Sequence, residues 1–297
     1  MSAFADALAS RQPLLLDGGL GSMLIARGLA GGEAPERWVL ERGAEVAAVH
    51  RAYAEAGADA VQTCTFGAHP RRLARAGLAG RAPEVARRAV ALARAAGARF
   101  VIGDLGPSGD YLPPVGKADP DELAAGFEEL AAALAGAGVD ALHVETLSDR
   151  READLALAAA RRAAPGLPVM VSLTFERRPR GFFTIMGDPL VATLAGILAA
   201  GAAAAGANCT LASPDLLALA REARAALDAP LVFQPNAGLP ILEAGVTRYT
   251  QAPEAFADDV AAIAALGVAA VGGCCGTDPR FVAALRARLG RAGGSAP

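Results

Sequence analysis

Eight short, mostly apolar runs recur along the chain, at 14–18, 58–66, 99–105, 139–146, 168–175, 203–209, 230–236 and 268–273. Runs of this length, rich in Val, Ile, Leu and Ala, predict strands buried on both faces. Stretches at 45–56, 83–96, 121–137, 151–164, 215–227, 254–266 and 279–289 have the spacing of helices, with Ser213 and Pro214 expected as the cap and first turn of one. Strand then helix, eight times over, predicts an α/β fold of the (β/α)8 TIM-barrel type in a single domain. A doubly wound sheet would give similar runs and is the alternative. The expected boundaries are an N-terminal segment at 1–12, the barrel at 13–291 and a flexible tail at 292–297.

Polar residues terminate every run. They are Asp17, then Thr63 and Thr65, Asp104, Glu145, Thr174, Cys209, Asn236, and finally Cys274 with Cys275. In a parallel barrel all of these fall on the C-terminal face, where active sites of this fold lie. One such Asp, Thr or Asn is usually a turn or cap residue; polar ends on all eight strands point to a site. The segments 104–119 and 175–188 are long for barrel connections and lie on the same side.

Composition narrows the chemistry. With 28 Lys and Arg against 31 Asp and Glu the net charge is -3, so no basic field for nucleic acid is present. The uncharged stretch 190–207 is mostly Ala and Gly and is broken at Gly201, which predicts a helix and a strand rather than a membrane span. No basic region and apolar core mark the first twelve residues, so a cytoplasmic, reducing setting is expected. There, clustered cysteines bind metals or catalyse more often than they form disulfides.

Three of the four cysteines stand at the ends of two runs, Cys209 in one and Cys274 and Cys275 in the other. Neighbouring residues of a regular strand face opposite ways, so both members of the pair can reach one ion only if Gly272, Gly273 and Gly276 permit a bend. Three thiolates suit Zn²⁺ with one exchangeable position, and such a site activates a thiol substrate by stabilising its thiolate. A buried apolar set and a redox-active Cys274–Cys275 pair are the competing readings. Cys64 lies between Thr63 and Thr65 and is expected to face away from them.

The segments Asp17-Gly18-Gly19, Thr63-Cys64-Thr65-Phe66-Gly67, Gly106-Pro107-Ser108-Gly109, Glu145-Thr146-Leu147-Ser148-Asp149, Gly206-Ala207-Asn208-Cys209, Pro235-Asn236-Ala237-Gly238-Leu239-Pro240 and Gly272-Gly273-Cys274-Cys275-Gly276-Thr277 occur in this order. On these motifs the chain resembles the homocysteine S-methyltransferase family, and within it the homocysteine-binding barrel of cobalamin-dependent methionine synthases. The resemblance implies that Cys209, Cys274 and Cys275 bind zinc. It implies too that Asp17, Gly18, Thr63 and Glu145 hold the amino-acid end of homocysteine, and that Asn236 takes the open zinc position when substrate is absent. A carboxylate pair such as Asp17 and Glu145 suits an ammonium group; the bland alternative pairs Glu145 with a helix Arg.

The methyl donor is the open choice. Cys64 stands where methionine synthases of this type commonly have Asn. Thr146 and Gly67 stand where betaine-using relatives have tyrosines, whose faces a quaternary ammonium needs. His50, His69 and His143 lie outside any Asp-x-His-x-x-Gly cobalamin motif and are expected to be structural. The methyl group is then expected either from a separate corrinoid protein carrying methylcobalamin or from a free donor such as S-methylmethionine or S-adenosylmethionine, and the resemblance to cobalamin-dependent methionine synthases favours the first. Arg177, Arg178 and Arg180 are a candidate patch for an acidic partner, or a solvated charge run. A noncatalytic zinc-thiolate binding module is the reading of another class.

Overall fold

The computed structural model describes residues 2–243 and 246–291, and the expected tail at 292–297 lies outside them. The eight expected strands form as β1 (Leu14–Leu15), β2 (Ala60–Gln62), β3 (Phe100–Leu105), β4 (Ala141–Leu147), β5 (Val169–Leu173), β6 (Ala204–Ala212), β7 (Leu231–Asn236) and β8 (Ala270–Val271). Each pairs in parallel with its neighbour in sequence, and β8 pairs with β1. A bridge between Leu16 and Ala60 completes the ring. A doubly wound sheet would reverse its strand order and leave two edges; this order closes, so the fold is a (β/α)8 barrel. The helices following the eight strands include Gly43–Ala56, Ala82–Arg94, Pro120–Gly136, Arg150–Ala163, Leu190–Ala199, Ser213–Ala226, Pro253–Ala264 and Pro279–Arg288.

Period-two alternation divides the apolar residues between two cores. Leu15, Val61, Val101, Leu142, Val171 and Val271 point outward and pack under the helices. Leu14, Leu16, Ala60, Ile102, Ala141, Met170, Ala204, Val232 and Ala270 point inward and fill the barrel's lower end. A short helix, Ala3–Leu8, supplies Phe4, Ala7 and Leu8 to this inner core, with Phe4 edge-on to Phe100 at 5.2 Å. The lower end is thereby plugged. Strands β6 and β7 approach so closely at Gly206 that a Cβ there would lie 1.7 Å from the carbonyl oxygen of Val232.

Ser213 does not cap its helix as expected. Strand β6 continues through an irregular register to Ala212, so Ala212 holds the cap position and Ser213 is already helical. Its hydroxyl instead donates to Asp259 at 2.5 Å. The helices Leu20–Ala26, Pro35–Glu41 and Pro70–Arg75 are additions to the expected elements. So are two hairpins, Glu176–Arg178 with Gly181–Phe183 and Pro240–Glu243 with Val246–Tyr249. No described helix is long and apolar enough to cross a membrane.

Candidate active site

Above the apolar plug the inward positions turn polar. His143 on β4 shares a hydrogen bond with Ser172 on β5 (2.8 Å) and faces the amide oxygen of Gln62 at 3.4 Å. That oxygen also accepts from Gln234 on β7 (3.1 Å), while the Gln62 amide nitrogen donates to Glu145 at 2.8 Å. These groups are buried, and bonding among them satisfies most of their polar atoms. The layer holds Glu145 from below.

Two strand irregularities aim the residues above it. Pairing of β4 shifts register between Val144 and Leu147, and Thr146 lies there with φ 62°. Pairing of β6 shifts between Asn208 and Ala212, where Cys209 and Thr210 have φ 57° and 50°. Non-glycine residues pay about 1 to 3 kcal/mol to sit in this left-handed region and are retained where a site needs the direction. Between the two bulges, Asn208 donates to both Glu145 and Thr146 Oγ1. Thr146 Oγ1 also donates to Glu145 Oε2 at 3.1 Å. Glu145 thus has Gln62, Asn208 and Thr146 as donors, the Asp104 carboxyl beside it, and no helix arginine among the described residues.

Strand β8 stops at Val271, and Cys274 and Cys275 lie in the turn beyond it. This is the bend the pair requires. Gly276 takes φ 79°, while the Thr277 hydroxyl donates to the Cys274 carbonyl at 2.6 Å. Neighbouring strands pin the turn: Cys274 N donates to Pro235 O (2.8 Å), Cys275 N to Asn236 Oδ1 (3.1 Å) and Gly19 N to the Thr277 hydroxyl (3.1 Å). A Cβ at Gly18 would lie 2.7 Å from Thr277, so β1 passes tight against the same turn. Tyr249, from the second hairpin, covers Gly276 with its ring, beside Cys275.

The three sulfurs of Cys209, Cys274 and Cys275 lie within 4.8 Å of one another. Cys209 to Cys275 is 3.8 Å and Cys274 to Cys275 is 4.0 Å. Tetrahedral zinc with Zn–S bonds of about 2.3 Å separates its sulfurs by about 3.8 Å, so the donor set fits that ion by spacing as well as by softness. As bare thiols the three share charge unequally. Hydrogen bonds from Cys274 and then Cys275 bring Cys209 down to about 3. The hydrogen bond to Cys209 holds Cys274 well above the ordinary thiol range and pushes Cys275 up to about 12. Cys64 is buried in the outer core and outside this group.

A cavity of about 230 Å³ opens beside the sulfurs, lined among others by Asp17, Gly18, Thr63, Asp104, Glu145 and all three cysteines. The fold therefore brings the expected Asp17, Gly18, Thr63 and Glu145 into one pocket. Asn236 is absent from that lining; its oxygen is taken by Cys275 N, and its side chain lies beside Cys209. The Thr63 hydroxyl is engaged with Thr65 (2.6 Å) and Asp104 N (3.0 Å). Burial raises Asp17, Asp104 and Glu145 above the usual carboxylate range. Gln62, Gln234, Asn208 and Tyr249 were not assigned from sequence. The signal for the first three was their inward register: Asn208 precedes Cys209, and Gln234 stands two residues before Asn236.

Arg177 pairs with Asp215 at 3.0 Å, and Arg178 pairs with Glu176 within the first hairpin. Both partners are acidic residues of this chain.

The sequence model of the family described as homocysteine S-methyltransferase matches residues 14–289. The methionine synthase of Mycobacterium tuberculosis is 34% identical over 263 residues, and that of Mycobacterium leprae 31% over 256. Each match covers 82% of this chain and 21% of the relative, so the chain spans about a fifth of the length of these curated relatives. Among solved structures, the metallated form of the homocysteine methyltransferase MmuM from Escherichia coli superposes with a TM-score of 0.79 at 28% identity, over 95% of this chain and 98% of that one.

Proposed function

The chain belongs to the homocysteine S-methyltransferase family, and from that premise we propose that it is a zinc-dependent enzyme that methylates homocysteine to methionine. The observation that carries this reading is the set of three sulfurs, at tetrahedral zinc spacing, opening onto a cavity lined by carboxylates. Cys209, Cys274 and Cys275 would hold the ion. When bound, it supplies the positive charge that keeps the acceptor's sulfur a thiolate at neutral pH, the nucleophile for substitution at the methyl carbon. The chain's own contribution is orientation. Asp17 and Glu145 receive the ammonium group, and the bonds from Gln62, Asn208 and Thr146 hold Glu145 in place. Substitution at carbon needs no acid or base from the protein.

For the donor, we infer delivery by a separate methylcobalamin-carrying protein. The exposed large apolar side chains Ile25, Tyr111, Val115, Ile185, Leu239, Ile241 and Leu242 all lie in segments following barrel strands, at the end where the sulfurs sit. An apolar rim of this kind suits a docking macromolecule better than a small polar donor. One observation favours a free cationic donor such as S-methylmethionine or S-adenosylmethionine: among the described residues the pocket lining contains four carboxylates and no Lys or Arg.

Incubating the zinc-loaded protein and homocysteine separately with protein-bound methylcobalamin, free methylcobalamin, S-methylmethionine, S-adenosylmethionine and betaine, and measuring methionine, tests both points. Turnover fastest with protein-bound methylcobalamin is the expected result. Turnover with the sulfonium donors alone would establish the second reading, and none with any donor would leave a noncatalytic thiol-binding module.

A further inference from the structure

The carboxylates lining the cavity are Asp17, Glu36, Asp104 and Glu145. The protein supplies donors to three of them. Asp17 Oδ2 accepts from Gln62 N (2.9 Å), Glu36 Oε1 from Gly67 N (2.5 Å), and Glu145 from Gln62 Nε2 at 2.8 Å and Thr146 Oγ1 at 3.1 Å. Asp104 is different. It is 5% exposed, and its Oδ1 is buried with no N–H or O–H to accept from among the described residues. The carboxyl of Glu145 faces it, and two carboxyls can bond only by sharing one proton, which leaves Oδ1 without a donor. Its backbone is fully engaged, with N donating to the Thr63 hydroxyl and O accepting from Thr65, so the side chain has no part in holding its own strand end. A buried acceptor without a donor costs about 1 to 3 kcal/mol, more when charged. A ligand that brings the donor removes that cost.

We propose that Asp104 is a third substrate-binding carboxyl, taking one N–H of the acceptor's ammonium beside Asp17 and Glu145, and that it makes the pocket selective for thiols bearing a protonated amine. The proposal rests on the homocysteine reading above and extends it. An ammonium carries three N–H donors. Asp17 at the end of β1, Glu145 on β4 and Asp104 on β3 line one cavity and lie close enough to repel one another. Two carboxylates would leave one N–H to a weaker partner; the third completes the set. While the pocket is empty, burial and the charges of Glu145 and Asp17 favour a proton on Asp104, shared with Glu145. The ammonium replaces that proton as counter-ion, and the proton leaves to solvent.

Calorimetric titration of the zinc-loaded protein tests this with two ligands: homocysteine, and 4-mercaptobutanoate, which has the same thiol and carboxylate but no amine. Asp104→Asn and Asp104→Ser are measured beside the unmutated chain, with zinc content and melting temperature recorded for each. Both variants are expected to bind homocysteine about tenfold to a hundredfold more weakly, as for loss of a hydrogen bond to a charged group, and to bind 4-mercaptobutanoate at least as well as before. Unchanged homocysteine affinity, or equal weakening of both ligands, would overturn the role of Asp104 and leave the homocysteine reading standing. An unmutated chain that binds neither thiol would overturn the homocysteine reading and the role of Asp104 with it.

Discussion

Cys209 shows how much one residue's backbone decides. At φ 57° its sulfur turns toward the β8 turn instead of continuing the alternation of β6, and it meets Cys275 at 3.8 Å. Replacing Cys209, Cys274 or Cys275 by Ala is expected to abolish tight zinc binding and activity together, because two thiolates and water leave the ion half-coordinated. Cys64→Ala, a change in the outer core, should keep about one zinc per chain. Metal analysis of the purified variants checks this, and full occupancy in Cys209→Ala would remove that residue from the site. Glu145→Gln is expected to preserve fold and zinc while weakening homocysteine by about 1.5 to 3 kcal/mol, the worth of a charge-assisted contact. Equal homocysteine affinities for variant and parent would exclude the contact. The cysteines, Asp17 and Glu145 were legible from residue type and position at a strand end. The supports of Glu145 were not, because Gln62 and Gln234 become partners only when β2 and β7 face each other across the barrel.

Among the elements, the strands were legible because a strand buried on both faces must be short and apolar; each of the eight runs marks one, with β4 ending one residue and β6 three residues beyond the expected end. The two hairpins were not. Their strands are three or four residues long, too short to show a period, and Arg177, Arg178 and Arg180 read as a charge run. The bulges were hidden for another reason: left-handed backbone usually announces itself by glycine, and at Thr146, Cys209 and Thr210 tertiary contacts impose it instead. The close approach of β6 to β7 gives a test at this scale. A methyl group added at Gly206 would meet the Val232 carbonyl at 1.7 Å; that oxygen is backbone and the Cβ position is fixed by its own backbone, so neither can rotate away. Gly206→Ala is therefore expected to lose about 3 kcal/mol or more, at the upper end of overpacking costs, and to loosen zinc as well, since Cys209 lies three residues on. Urea unfolding with zinc analysis measures both. A loss under about 0.5 kcal/mol would mean that the strands separate freely, against the rigid scaffold argued for the site.

Along its axis the whole molecule grades from an apolar plug at Phe4 and Phe100, through the layer of Gln62, His143 and Gln234, to the carboxylates and sulfurs at the mouth. Burying so many titratable groups makes stability depend on pH with competing signs. Asp17, Asp104 and Glu145 have raised values, so the fold binds their protons more readily than the unfolded chain does, and mild acid favours it. His50 works the other way. It sits in the helix Gly43–Ala56 with both ring nitrogens unpartnered among the described residues, and burial lowers it to about 4. Its unfolded value is near 6.5, so the unfolded chain gains the proton first, and the stability present above that value drains away as pH falls toward 4. The loss by about pH 5 is about 2 kcal/mol. His50→Leu removes this term and leaves the carboxyls unchanged. At pH near 7.5 the variant should match the parent to within about 1.5 kcal/mol, as for a swap of similar volume. Near pH 5 it should be the more stable of the two by comparison, by about 2 kcal/mol relative to that baseline. Urea midpoints at the two pH values decide it: parallel pH dependence in parent and variant would mean that His50 takes up its proton equally in the folded and unfolded chain and carries none of the acid response.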